Sequence, residues 1–201
     1  MAHYYENDPT LDKTEFPVSF TLCGRSFTLN SSAGVFSKDG LDTGTRILLE
    51  WILQNAKPAK DVLDLGCGIG VIGAVLSSFW HCRVTGIDPN SQACHLAEEN
   101  YARYQVEGSV IEADHINDAN YDMVVLNPPI RTGKAVIYSL FAQSYDHLLP
   151  GGVLYIVIRK QHGAQSALDS LNSIGFKAGR VARDKGFWII EARKPQDKAA
   201  E

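Results

Sequence analysis

A chain of 201 residues, 45% hydrophobic and 21% charged, is long enough to bury one core and short for two. Its longest uncharged apolar runs, such as GVLYIVI, are too short to cross a bilayer, and the start MAHYYENDP lacks the basic and apolar regions of a secretory signal. The net charge of −4 hides an asymmetry, because residues 1–130 carry 8 basic against 17 acidic side chains and residues 131–194 carry 10 against 4. Such a basic half is typical of a surface that faces a polyanion.

The first sixty residues predict a small N-terminal unit. VSFTLCGRSFTLN (18–30) favours a short hairpin that turns near Gly24, and a helix is expected from Asp42, as its N-cap, to Gln54. Between them lies the glycine-rich, polar stretch SSAGVFSKDGLDTG with one aromatic residue, Phe36. This stretch predicts a loop.

From Lys60 onward, compact apolar runs alternate with helical patterns. The runs predict strands at 61–65, 83–87, 109–112, 121–126, 152–158, 177–182 and 187–192. Helices are expected after GCGIG and at 91–104, 135–148 and 164–174. In the helix at 91–104, Leu96 and Ala97 are expected to face inward. This order predicts an α/β fold with a mostly parallel sheet, helices on both faces and an antiparallel strand from the C-terminal hairpin around ARDKG.

The four cysteines are not arranged as a metal site or a disulfide framework. They form no CxxC pair and have no histidine nearby at ligand spacing. Buried reduced thiols are therefore expected at Cys23, Cys67, Cys82 and Cys94.

A glycine loop joins the strand at 61–65 to the next helix. It contains Gly66, Cys67, Gly68 and Gly70, whose glycines let a ligand approach main-chain amides without meeting a Cβ. Ligands of open α/β sheets bind beyond the carboxyl ends of the strands, so the loop predicts a nucleotide-type cofactor. GIGVIG (68–73) also matches the dinucleotide pattern GxGxxG, which leaves NAD as an alternative.

Three acids lie near the ends of three successive strands. Asp64 precedes the first glycine by two residues, where its carboxylate could meet an ammonium group and would repel a pyrophosphate. Asp88 is placed to accept both hydroxyls of a ribose, and Asp114 to accept an adenine amino group. Each acid alone could be a helix cap or a solvated loop residue. Together with the glycines, they favour a zwitterionic nucleoside cofactor over NAD.

These residues carry a family resemblance. VLDLGCGIG, GID and EAD followed by LNPP resemble the class I S-adenosylmethionine-dependent methyltransferases. GVFSKDGLDTGTRILLE, the glycine loop, NPP and KGFWII resemble, over residues 30–194, the small methyltransferase domain of the ribosomal RNA guanine-N2 methyltransferases. The resemblance implies a Rossmann-like sheet of seven strands, the last one reversed, with S-adenosylmethionine as cofactor. It assigns cofactor binding to Asp64, Gly66, Cys67, Gly68, Gly70, Asp88, Asp114 and Asn127.

The apolar run 123–126 stops abruptly on Asn127, Pro128 and Pro129. An exocyclic amine on a base is a poor nucleophile because its lone pair is delocalised into the ring, and acceptors around its N–H groups favour the partly positive nitrogen of the attack. Asn127 offers a side-chain carbonyl, and Pro128 offers a backbone carbonyl whose direction the two proline rings help to fix. We predict these three as catalytic residues, with an ordinary strand-ending turn as the alternative.

Substrate-binding residues are predicted around this motif. Many amine methyltransferases carry an aromatic residue after the prolines, on which a flipped base stacks, but this chain has Ile130. Stacking is then expected elsewhere, with Phe36 as the candidate. Four basic residues fall where phosphate contacts would be useful on the same edge of the sheet. They are Arg131, Lys134, Arg159 and Lys160.

The sequence therefore predicts a cytoplasmic, monomeric S-adenosylmethionine-dependent N-methyltransferase without a metal or a membrane partner. Its expected substrate is an exocyclic amine, above all guanine N2 of ribosomal or other structured RNA. The alternatives are a methyltransferase of a protein glutamine amide or a small-molecule amine, an NAD-binding oxidoreductase, and a catalytically silent RNA-binding module. We expect an extension at 1–41 with a hairpin and loop over the active site, a methyltransferase domain at 42–194 and a flexible tail at 195–201.

Overall fold

The computed structural model describes residues 14–33, 35 and 40–196. Phe36 and its predicted role in stacking lie outside these residues. The strands are β1 Glu15–Leu22, β2 Arg25–Ser32, β3 Asp61–Leu65, β4 Arg83–Asp88, β5 Gly108–Glu112, β6 Tyr121–Leu126, β7 Leu148–Arg159, β8 Lys177–Asp184 and β9 Phe187–Arg193. The helices are α1 Thr43–Asn55, α2 Val71–Trp80, α3 Ser91–Arg103, α4 Lys134–His147 and α5 Ala164–Ile174, with 3₁₀ turns at Ile130–Thr132 and Lys160–His162.

Seven strands form one sheet in the order β5-β4-β3-β6-β7-β9-β8. β9 is antiparallel to both of its neighbours, and the other pairs are parallel. The predicted Rossmann-like fold is therefore confirmed. From β3 the chain moves outward through β4 and β5 and then returns to place β6 on the other side of β3. The strand order thus reverses between β3 and β6, which is where open α/β sheets bind their ligands.

Alternate residues of the central strands supply two separate apolar layers. In β6, Met123 and Val125 pack in the layer under α1, α2 and α3, whereas Val124 and Leu126 pack in the layer under α4 and α5. Because helices cover both faces, these strands carry apolar residues toward both faces instead of alternating strictly with polar residues. Each fully buried leucine, isoleucine or valine contributes about 1.5 to 3 kcal/mol to the hydrophobic stabilisation. Leu96 and Ala97 are buried, as predicted.

The N-terminal hairpin of β1 and β2 is hydrogen-bonded to α3, and α3 is in turn hydrogen-bonded to the glycine loop. The buried Asn100 side chain accepts a hydrogen bond from the Asn30 N–H (2.8 Å) and donates to the carbonyls of Asn30 (3.0 Å) and Ile69 (2.9 Å). Phe27 of β2 is buried in the layer under α1, α2 and α3. The hairpin therefore supports the loop that follows β3. The predicted division of the chain at residues 41 and 194 stays a prediction.

Two sequence predictions need correction. β7 begins at Leu148, four residues before the predicted start. The segment LLPG already belongs to the strand, and Leu148 pairs with Tyr121 of β6. Cys23 is exposed at the hairpin turn with φ 47°, so the prediction of a buried thiol is wrong there, whereas the other three thiols are buried. All four cysteines are free.

Within the described residues, no helix is both long enough and apolar enough to span a bilayer. The cytoplasmic location and the monomeric state stay predictions.

Candidate active site

The glycine loop folds back over the carboxyl ends of β3 and β4. The N–H groups of Gly66 and Cys67 both donate to the Ile87 carbonyl, at 2.8 and 3.0 Å. A Cβ built on Gly66 or Gly68 would meet no atom within 4 Å, so both glycines face open space. At Gly70, by contrast, a Cβ would lie 2.7 Å from the Tyr101 ring. Gly70 is thus required for packing at the start of α2, and the first two glycines leave the room for a ligand.

Asp88, at the end of β4, holds this loop in place. One carboxylate oxygen accepts from the Gly68 N–H (2.9 Å), and the other accepts from the Asn90 N–H (2.9 Å). Burial raises the pKa of Asp88, although the two backbone donors act in the opposite direction. The carboxylate also lines the cavity above the loop. Its predicted contact with ribose hydroxyls stays a prediction.

Asp64 lies beneath the loop instead of facing the cavity. It is completely buried; Oδ2 accepts from the Gly73 N–H of α2 (3.1 Å), and Oδ1 has no hydrogen-bond partner among the described residues. Burial raises its pKa to about 7. Asp64 lines neither of the two cavities at this edge of the sheet. Its predicted contact with a cofactor ammonium therefore stays a prediction that this geometry does not favour.

Two cavities meet at Gly66, on the edge of the sheet where the strand order reverses. The smaller, of about 170 Å³, includes in its lining Asp42, Thr45, Gly66, Cys67, Gly68, Asp88 and Asn127. The larger, of about 610 Å³, includes Gly66, Pro89, Ala113, Asp114, Pro129 and Leu140. The structure thus brings most of the predicted cofactor-binding residues to one groove, except Asp64 and Gly70. Asp114 is exposed, and its hydrogen bond with His115 (2.9 Å) lowers its pKa.

Asn127 follows β6 and faces the first turn of α1. Its side-chain nitrogen lies 3.0 Å from Thr45 Oγ1 and 3.5 Å from Asp42 Oδ1. No donor in the described part of the chain reaches its side-chain oxygen. The carbonyl of Pro129 accepts from both the N–H (3.0 Å) and the hydroxyl (2.8 Å) of Thr132, which closes the turn after the motif. The Pro128 carbonyl stays the predicted second acceptor.

Ile130 opens that turn and packs against the apolar layer under α4 and α5. Its aliphatic side chain therefore has a packing role, and its predicted contact with substrate stays a prediction. Arg131 is exposed beside it.

Three of the predicted basic residues lie around the loops that follow β7 and β8. The Arg159 guanidinium lies 4.4 Å from the centre of the Phe187 ring, and the Lys160 N–H donates to the Gly186 carbonyl (2.9 Å). A Cβ built on Gly163 would lie 3.8 Å from Cε of Lys134. The structure therefore places Lys134 and Arg159 on either side of one short turn. Contact with phosphate stays a prediction.

Sequence reasoning missed Thr45 and Phe187 and saw Asp42 only as a helix cap. A Cβ built on Gly44 would lie 3.1 Å from the Phe187 ring and 3.2 Å from Asp42 Oδ1, so Phe187 lies beside the first turn of α1. The Phe187 ring thus lies close both to the Arg159 guanidinium and to the turn of α1 that contacts Asn127. Phe187 stands in the KGFWII segment, and no local pattern marks Thr45, because its contact with Asn127 spans 82 residues.

Residues 26–191 match the family described as the methyltransferase small domain. The chain belongs to this family. Family membership confirms the predicted enzyme class, a methyltransferase, and its predicted cofactor, S-adenosylmethionine, over the NAD alternative. The groove fits this cofactor, since open space above Gly66 and Gly68 adjoins the buried carboxylate of Asp88.

Several curated proteins are similar to this chain. An uncharacterized protein of Bacillus subtilis, YbxB, is 34% identical over 198 residues, which cover 96% of this chain and 98% of that protein. The ribosomal RNA large subunit methyltransferase G of Pseudoalteromonas translucida is 32% identical, over 90% of this chain and 49% of that enzyme. The ribosomal RNA small subunit methyltransferase C of Haemophilus ducreyi is 38% identical, over 74% and 47%. The chain thus spans about half the length of these two ribosomal RNA methyltransferases.

Among solved structures, the 16S rRNA N2 G1207 methyltransferase of T. Thermophilus superimposes with a TM-score of 0.75. The match covers 92% of this chain and 51% of that chain at 22% identity. At this identity the likeness shows the fold.

The predicted absence of a metal stays a prediction. Within the described residues, one group of possible ligands occurs, formed by Glu15, His95 and Glu99, whose ligand atoms lie within 4.8 Å of one another. They stand on β1 and α3, and none of them lines either cavity of the groove.

Proposed function

We propose that this chain methylates an exocyclic amine of structured RNA, and specifically guanine N2 of ribosomal RNA. The observation that carries the proposal is the Asn127 side chain at the edge of the groove. Its nitrogen is engaged by α1, which leaves its carbonyl oxygen to accept from an incoming amine. Asp88, Gly66 and Gly68 line the same cavity as Asn127, so the methyl donor and the amine that accepts the methyl group can meet there.

The proposed reaction needs no titratable side chain with a shifted pKa. S-adenosylmethionine supplies an electrophilic methyl group when it is bound. Asn127 and the Pro128 carbonyl accept hydrogen bonds from the amine, which favours the pyramidal, partly positive nitrogen of the attack. The methylated cation is strongly acidic and loses its proton to water, so no general base is required. Catalysis then consists mainly of alignment and of acceptors aimed at the developing charge.

Similar proteins support the choice of substrate. Two of them are named as ribosomal RNA methyltransferases, one of the large and one of the small subunit. The similar solved structure is described as an N2 methyltransferase of 16S rRNA in complex with AdoMet and guanosine. These descriptions concern those proteins, and guanine N2 in this chain's own substrate is our inference.

The test of this proposal is a comparison of modified nucleosides. Ribosomal RNA from cells that lack the gene should contain less N2-methylguanosine by mass spectrometry than RNA from cells that carry it. Purified protein and radiolabelled S-adenosylmethionine should restore the missing methyl group, and ribonuclease should remove the labelled product. Label that persists in protein after ribonuclease treatment would contradict the proposal and favour an amide substrate.

The basic side chains around the loop that follows β7 should bind RNA phosphates. Replacing Lys134 and Arg159 together with alanine should raise KM for RNA and leave the affinity for S-adenosylhomocysteine unchanged. The slope of log KM against log salt should fall by about 0.7 to 0.9 for each phosphate that the variant no longer binds. Lys177→Ala is the matched control, because Lys177 begins β8 at the opposite end of the sheet from Arg159. An unchanged salt slope in the double variant would rule out this surface as the phosphate-binding site.

A further inference from the structure

The first turn of α1 holds the Asn127 side chain from one side. Asp42 is the N-cap of this helix, and its Oδ1 accepts from the Thr45 N–H at 3.0 Å. The same Oδ1 lies 3.5 Å from the Asn127 side-chain nitrogen, and Thr45 Oγ1 lies 3.0 Å from it. Thr45 is buried, and all three side chains line the smaller cavity. Two N–H groups thus meet two oxygens that belong to one helix turn.

The chemistry of the two partners fixes the orientation of the amide. A carboxylate can only accept hydrogen bonds, so the atom of Asn127 that faces Asp42 must be the nitrogen. A half-turn of the amide would bring two acceptor oxygens together and would also leave both N–H groups without these partners. The Thr45 hydroxyl can donate or accept, so it adds a second hydrogen bond to the Asn127 amide without deciding the orientation of that amide. Asp42 decides it.

We propose that Asp42 and Thr45 are positioning residues, which hold the Asn127 amide so that its carbonyl oxygen points toward the acceptor amine. This inference rests on the proposed role of Asn127 in methyl transfer. An acceptor that is already oriented need not reorganise when charge develops on the amine nitrogen, and this preorganisation lowers the barrier. Asp42 therefore both caps α1 and orients the Asn127 amide for the reaction.

Thr45→Val tests the proposal because valine keeps the shape and the β-branch of threonine and removes the hydroxyl. Backbone capping by Asp42 is retained, since the cap bonds to the N–H of residue 45. We expect kcat for methyl transfer to fall about tenfold, the loss expected for one hydrogen bond, with KM and the affinity for S-adenosylhomocysteine changed less than about twofold. Thr45→Ser should recover most of the rate. Thr43→Val is the matched control, because Thr43 lies exposed in the same turn.

Asp42→Ser is a second variant that separates orientation from helix stability. Serine caps helices as well as aspartate does, so α1 should remain folded. A serine hydroxyl that accepts from the residue 45 N–H can still donate its own proton to Asn127, so the orientation of the Asn127 amide is no longer imposed. We expect kcat to fall again by about tenfold at an unchanged melting temperature. An unchanged kcat in both variants would overturn the proposal.

Two further measurements distinguish this proposal from the proposed function itself. If Thr45 acts through Asn127, Thr45→Val should not slow single-turnover transfer further in a protein that already carries Asn127→Ala. The side-chain NH₂ signals of Asn127, identified by their loss in Asn127→Ala, should shift in Thr45→Val and stay in place in Thr43→Val. These signals report positioning without any RNA, so they remain informative if the true acceptor is not RNA. Unmoved signals in Thr45→Val, or an equal loss of rate in both backgrounds, would contradict the proposal.

Discussion

Replacing Asn127 with alanine should lower the rate of methyl transfer by about 100- to 1,000-fold at saturating cofactor and RNA. The variant loses the side-chain carbonyl proposed to accept from the amine, and a group that acts mainly in the transition state affects kcat more than KM. Single-turnover transfer of labelled methyl groups measures the chemical step directly. Transfer at close to the wild-type rate would contradict the role of Asn127.

The control for this variant is cofactor affinity. S-adenosylhomocysteine should bind within about threefold of its wild-type affinity, because Asp88 and the glycine loop are untouched. Asn127→Asp is an instructive companion, since it keeps an acceptor oxygen and loses both donors. It places a carboxylate next to Asp42, whose Oδ1 lies 3.5 Å from the present nitrogen. We therefore expect Asn127→Asp to be nearly as slow as Asn127→Ala, which an acceptor alone would not explain.

Much of the fold could be predicted because the sheet is buried on both faces. Runs such as 121–126 contain enough consecutive apolar residues to mark strands, and the glycines mark the ends of several of them. The sequence did not reveal the start of β7, because Pro150, Gly151 and Gly152 resemble a turn, although Leu148 already pairs with β6. Strand order was predictable mainly from the family resemblance. Neither periodicity nor composition specifies which strand lies beside which.

The site was predictable where residues follow strand ends and obscure where it depends on long-range contacts. Gly66, Asp88 and Asn127 each come directly after a buried run, and parallel strands end at one edge. Thr45 reaches the site only because α1 packs against the sheet. Asp64 could have been placed from its position in β3, where side chains alternate between faces. It shares the face of Val62, which packs under α2, so its carboxylate points beneath the loop.

This buried carboxylate should make the stability of the cofactor-free protein depend on pH. In the unfolded chain the pKa of an aspartate is about 4. In the folded protein, burial raises the pKa of Asp64 to about 7. Between these values the unfolded state releases a proton that the folded state retains, so raising the pH favours unfolding. The free energy of unfolding should therefore fall by up to about 4 kcal/mol from about pH 4 to about pH 7 and then level off.

Asp64→Asn should remove this part of the pH dependence, because an amide carries no proton to lose and can still accept from the Gly73 N–H. At about pH 8 the variant should be more stable than the wild type by roughly 2 to 4 kcal/mol, and at about pH 4 the two should be similar. Urea denaturation at several pH values measures both slopes. Asp118→Asn, at an exposed position, should follow the wild-type curve. A variant with the same pH dependence as the wild type would show that Asp64 ionises normally.

The same variant decides what Asp64 does for the cofactor. If the carboxylate meets the ammonium group of S-adenosylmethionine, Asp64→Asn should lose affinity by about tenfold or more, since it removes the charge of an ion pair. If the carboxylate only supports the loop through Gly73, affinity should change little. The complete burial of Asp64 and its absence from the cavity lining favour the second outcome. A more stable protein with undiminished affinity would identify Asp64 as a support of the loop, whereas a more stable protein with weakened binding would show that the charge is kept at the expense of stability.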